Sequence, residues 1–203
     1  MKRSGLIEVI LAVIAITTFA MRWFWREAMD VITPLFAPLY FLLLYGLVFF
    51  VLAFSIVYFM MNKQEKPVRR YVALAIAASC ITTQLLFPFD KLSLKHDFYS
   101  NKEAREEVVQ MVKSNFELYD EYEHIELTRE FARLSKGGGE VTLEKTGTSF
   151  KIIFYTYRGI LMGFSGFVYV YNTSLEDGDF YCNFINKVQY DNRWYWINGT
   201  YKE

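Results

Sequence analysis

The chain has 203 residues, 53% hydrophobic and 19% aromatic, with 22 basic and 22 acidic side chains and a formal net charge of zero. That balance excludes an intrinsically disordered chain, which pairs low hydrophobicity with high net charge, and it leaves no overall basic footprint for nucleic acid. With 11 Gly, 4 Pro and 2 Cys the chain is neither collagen-like nor a disulfide scaffold.

The zero conceals two unlike parts. Residues 1–89 carry 8 Lys/Arg against 4 Asp/Glu, and residues 90–203 carry 14 against 18. The basic part is almost wholly apolar, and the acidic part has the composition of an ordinary folded domain. This asymmetry places a boundary at Phe89, with residues 90–96 as linker and 97–203 as a separate domain.

Three apolar segments fill the first part, about 6–25, 34–61 and 71–89. A bilayer span needs roughly 20 apolar residues at about 1.5 Å rise each, so the segments predict three transmembrane helices. Pro34 and Pro38 fall in the first turns of the second, where proline is tolerated. The first segment holds Glu8 and Arg22, both placed to snorkel to headgroups, and ends in Trp23-Phe24-Trp25, the composition of an interfacial belt. A cleaved signal peptide is the rival reading, with Lys2-Arg3 as its basic region, but Glu8 inside the apolar stretch argues against it.

Lys63, Lys66, Arg69 and Arg70 lie between the second and third segments. The positive-inside rule puts that loop and the N-terminus in the cytoplasm and the C-terminal domain outside. Lys91, Lys95, Lys102 and Arg105 beyond the third segment oppose this orientation, but a long translocated domain is governed less by its charges. Thr17, Thr18, Thr82, Thr83 and Gln84 are the polar residues of the spans, and hydroxyls in such places bond back to their own helix. Ala73, Ala75, Ala77 and Ser79 give small-residue spacing suited to close helix packing, and Cys80 reads as a small apolar residue.

In the acidic part, Ser100-Asn101-Lys102-Glu103 fits a capping box. Ala104, Val108, Met111, Val112, Phe116 and Tyr119 then recur at helical spacing, predicting an amphipathic helix from about Asn101 to Tyr119 with Glu106, Glu107, Lys113 and Glu117 on a solvated face. Residues 120–136 suit a helix or a strand equally. Gly137-Gly138-Gly139 is a turn. From Val141 the period changes to two, and strands at 150–157, 164–171, 180–190 and 194–197 predict an antiparallel meander of four to five strands, hence an α+β domain. The helix-then-meander order resembles cystatin-like and NTF2-like folds, a likeness of architecture that carries no function across.

Alternation assigns faces. Phe150, Ile152 and Phe154 are expected on one face with Phe164, Val168 and Val170, and with Cys182, Phe184 and Val188. The other face would hold Ile153, Tyr155 and Tyr157 with Phe167, Tyr169 and Tyr171. Tyr155, Tyr157, Phe167, Tyr169 and Tyr171 are therefore the candidate ligand- or partner-binding residues, because tyrosine gives wide contact at small entropy cost.

Catalytic and metal patterns are thin. His96 and His124 stand apart, no Cys-x2-Cys or His-x3-His spacing occurs, and Gly163-Phe164-Ser165-Gly166 misses the nucleophile-elbow spacing by one position. Glu176-Asp177-Gly178-Asp179 lacks the distal Glu of a calcium loop. Asn172-Thr173-Ser174 and Asn198-Gly199-Thr200 are glycosylation patterns that matter only in a eukaryotic secretory route. The expectation is a non-enzymatic membrane protein without metal or cofactor. Its domain would sense a ligand or an envelope or membrane partner, or the chain would serve as an accessory subunit packing through its helices.

Overall fold

The computed structural model describes residues 3–62, 67–159 and 163–202. The chain divides into two compact units, residues 1–28 with 36–94, and residues 29–35 with 95–203.

The first unit is built on α1 (Arg3–Trp23), α3 (Ala37–Met61) and α4 (Pro67–Leu86), with the short α2 (Trp25–Ile32) between the first two. Gly5–Trp23 and Pro34–Met61 are long and apolar enough to cross a membrane. The third predicted span is a bent pair, Tyr71–Leu86 joined at 65° to the next helix. Leu11, Val51, Tyr58, Ala73 and Ala77 form the unit's core. Ala73 and Ala77, one turn apart and at most 1% exposed, bring α4 close to its neighbours. Thr17 and Thr18 donate to the carbonyls of Val13 and Ala15, so these hydroxyls are satisfied within their own helix.

At the end of α1 the structure differs from the expected snorkelling. Arg22 makes a two-pronged contact with Asp90, at 2.5 and 3.3 Å, and Arg26 and the Trp25 indole N–H donate to the same carboxylate at 3.0 and 2.9 Å. A paired guanidinium has its charge met by protein instead of lipid. Of the basic loop, Lys63 and Lys66 lie outside the described residues.

The second unit contains most of α5 (Phe89–Ser114) and one six-stranded antiparallel sheet: β1 (Tyr122–Glu126), β2 (Glu140–Thr146), β3 (Ser149–Arg158), β4 (Gly163–Tyr171), β5 (Cys182–Asp191) and β6 (Trp194–Tyr201). The strand order is β1-β2-β3-β4-β6-β5. This is one strand more than the upper end of the predicted four to five, and the last two depart from a meander because β6 sits between β4 and β5. The extra strand comes from the ambiguous 120–136 segment, whose first part pairs with β2 and whose Ala132–Leu134 forms a single 3-10 turn.

α5 corrects two expectations. It begins right after Pro88, not at Asn101, so the predicted linker 90–96 is helical and Ser100 to Glu103 lie mid-helix. Nothing between Phe89 and Ser114 breaks a helix, since that stretch has neither Gly nor Pro. The buried seam of the second unit also starts earlier, with Phe98 preceding Arg105, Val108, Val109 and Val112, while Met111 is exposed. Phe98 meets Phe167, Tyr190 and Trp194 at ring separations of 5.0–5.7 Å.

Register decides the faces. Phe150 pairs with Tyr171, Ile152 with Tyr169 and Phe154 with Phe167, and directly paired residues share a face. The face packed by α5 therefore carries Phe150, Ile152, Phe154, Phe167, Tyr169, Tyr171 and Trp194. The other carries Ile153, Tyr155, Phe164, Val168, Val170 and Cys182. This exchanges the predicted partners of β3 and β4, because alternation fixes phase within a strand and not between strands. Gly166 is a close-approach glycine: a Cβ there would stand 2.7 Å from the Phe154 carbonyl oxygen and from Ile153. The second face is covered by the chain itself. The β4–β5 connection lays Leu175 and Phe180 over it, both at most 2% exposed, and Lys151–Asp179 pins that connection at 2.5 Å. Phe180 holds a left-handed backbone at φ 55°, a strain opposed by burial of its ring.

Candidate ligand-binding site

The five predicted tyrosine and phenylalanine residues do not form one surface. Phe167 is fully buried under α5, where the Arg105 guanidinium lies 4.6 Å above its ring. Tyr155 is 1% exposed on the opposite face, where its hydroxyl is 2.9 Å from that of Thr142, which in turn lies 2.8 Å from His124 Nδ1. Tyr157 follows a bulge that shifts the β3–β4 register, pairs with Ser165 and is half-buried. Phe167, Tyr169 and Tyr171 share the α5 face, and of these only Tyr169 and Tyr171 lie near its rim.

Those two stand beside a cleft of about 460 Å³ lined by Glu106, Val109 and Gln110 of α5, Tyr169 of β4, and Asp191 to Trp194 of the β5–β6 turn. Volume in this range suits a small ligand. Helical spacing brings Glu106, Val109 and Gln110 to one side, and the hairpin turn supplies the other. The floor is aromatic: Trp194 meets Tyr169 edge-on at 5.2 Å and Phe154 at 5.8 Å. Tyr169 is 7% exposed and accepts a 3.1 Å hydrogen bond from Arg193 Nη1.

Charge is sorted along the cleft. At one end Lys102 Nζ lies 2.5 Å from Asp191 and 3.7 Å from Glu106. That bond to Asp191 raises the lysine's pKa and, with the Asn192 backbone N–H, lowers the aspartate's. At the other end Lys113 and Arg193 lie 4.5 and 5.7 Å from the Tyr171 ring centre. Lys113, hydrogen-bonded to the Tyr171 hydroxyl and charged beside it, holds that phenol below its ordinary value.

Sequence reasoning missed Lys102, Glu106, Gln110, Arg193 and Trp194 as site residues. Lys102, Glu106, Gln110 and Lys113 do recur at helical spacing, but such a stripe is indistinguishable from a solvated face until the hairpin is seen opposite it. Cys80 and Cys182 are both buried free thiols, and among the described residues no group of three or more His, Cys, Asp or Glu stands close enough to hold a metal. No known family profile, no characterised protein and no solved structure matches this chain.

Proposed function

We propose that this is a small integral membrane protein with three spans and a cytoplasmic N-terminus, whose sheet unit lies outside the cytoplasm and senses a ligand or partner at the α5–hairpin cleft. The two long apolar helices support membrane insertion, and α3 carries exposed Leu39, Leu42, Leu43, Phe49 and Met60, as a helix in an apolar solvent does. The orientation rests on the basic loop 63–70. The basic residues that opposed it are absorbed in part by the folded unit, since Lys102 pairs with Asp191 and Arg105 with Asp97. The observation that carries the binding reading is the cleft itself, a concave site with an aromatic floor and convergent polar groups.

A second reading, an accessory subunit packing through its helices, is favoured by a groove of about 490 Å³ along α1 and α4, lined by Ala12, Ala15, Ala75, Ser79 and other residues. In vivo crosslinking separates the two. A photoreactive residue replacing Gln110 should capture a partner if the cleft is the working surface. Adducts at Ser79 with none at Gln110 would favour the accessory subunit. A phosphatase fused at Glu203 should be active if the sheet unit is exported, and an active cytoplasmic reporter there would reverse the orientation.

A further inference from the structure

The cleft's charges are unevenly spent. Its two acids, Glu106 and Asp191, are both turned to Lys102. Arg193 of the hairpin wall and Lys113, one helical turn beyond the lining residue Val109 on α5, both come within 6 Å of the Tyr171 ring centre. Among the described residues neither makes an ion pair with a carboxylate. Arg193 uses Nη1 on the Tyr169 hydroxyl, which leaves its other N–H edges to a ligand. The lining itself holds two acids and Arg193, and Lys102 and Lys113 flank it, so the cluster as a whole sets three cations against two acids.

We propose that this cleft takes a carboxylate monoanion bearing a flat apolar group, with Arg193 and Lys113 receiving the carboxylate and Tyr169 and Trp194 receiving the flat group. The planar fork of arginine matches a carboxylate in two-point contact. The apolar part of the ligand has Val109, Tyr169 and Trp194 to lie on. A dianion is disfavoured, because Glu106 and Asp191 line the same space and one excess charge meets one negative charge. This assignment rests on reading the cleft as a binding site.

The full chain in detergent micelles, with 15N-labelled tryptophan, tests it. Four tryptophans give four indole signals. That of Trp194 is identified from Trp194→Phe or, if that ring is needed for folding, by elimination with the other three. N-acetylphenylalanine should shift the Trp194 signal saturably. N-acetylphenylalaninamide, which lacks only the charge, should bind at least about tenfold more weakly, the factor expected for a lost charge-assisted contact. Arg193→Gln and Lys113→Gln, both at solvent-facing positions, should weaken the acid by a similar factor, with Arg193→Lys intermediate. Equal binding of acid and amide overturns the carboxylate assignment and leaves the cleft as a site. Inorganic phosphate binding more tightly than N-acetylphenylalanine also overturns it. An unmoved Trp194 signal overturns the assignment, and the sensing reading falls with it only if the crosslinker at Gln110 captures nothing.

Discussion

Arg105 Nη2 donates a 2.7 Å hydrogen bond to Asp97 Oδ2, eight residues back along the same helix, and Nη1 reaches the Asp97 carbonyl at 3.2 Å. The arginine is 1% exposed, while the Asp97 side chain retains 34%. The charge is thus buried on one partner only, and burial lowers the Arg105 pKa against the pull of Asp97.

That asymmetry predicts unequal mutants. Asp97→Asn leaves a buried guanidinium without its counter-charge and should cost about 3 kcal/mol. Arg105→Met leaves a carboxylate already in contact with water and fills the same space, so it should change stability by no more than about 1 kcal/mol. Chemical denaturation of the two variants checks the order. Equal losses would show that Asp97 depends on the pair as much as Arg105 does.

The tyrosines should likewise divide by face. Tyr155→Ser removes a buried ring and should cost about 3–5 kcal/mol, the range for large-to-small changes of buried aromatics. Tyr155→Phe should cost about 1–2 kcal/mol, because it deletes the bond to Thr142 and a longer one from Tyr201, while Thr142 keeps His124. Tyr171→Ser, at a half-buried position, should stay folded with a loss of about 1 kcal/mol. Thermal melts of the three read out the ranking directly.

Alkaline pH should unfold the sheet unit early. Burial is the largest influence on Tyr122 and Cys182, pushing each up to about 12, and it raises Tyr155 as well. The unfolded chain releases these protons at about 8.5 for a thiol and about 10 for a phenol. Above those values it binds fewer protons than the folded form. Stability is therefore fully present below about pH 8 and falls as pH rises toward 12. Urea midpoints at pH 7, 9, 10 and 11 should decline, less steeply in Tyr122→Phe. A flat profile would mean that these groups meet solvent in the native state.

Much of this was legible in the sequence. The apolar segments at 6–25 and 34–61 and the change to period two after Val141 both report local patterns, and the structure has apolar helices and strands there. What stayed hidden was phase and distance. Nothing local says that Ile152 lies opposite Tyr169 instead of Val168, because a one-residue shift in register exchanges the faces. Arg105 read as one more basic residue beyond the third segment, since burial of a charge depends on an acceptor one turn beyond the usual neighbour range and on a ring from β4. The cleft was out of reach for the same reason: Arg193 is a turn residue until the helix stands across from it.

The strand order also dictates when the sheet is finished. β6, the sixth strand in chain order, is interior, hydrogen-bonded to β4 on one side and β5 on the other. During synthesis β5 has no partner until residues 194–201 emerge, and β4 waits with one open edge. A nascent chain halted before Trp194 thus presents a bare strand edge and lacks the ring that seats Phe98. Chains that stop before β6 should therefore be the ones that quality-control proteases remove, because two strand edges stay open in them.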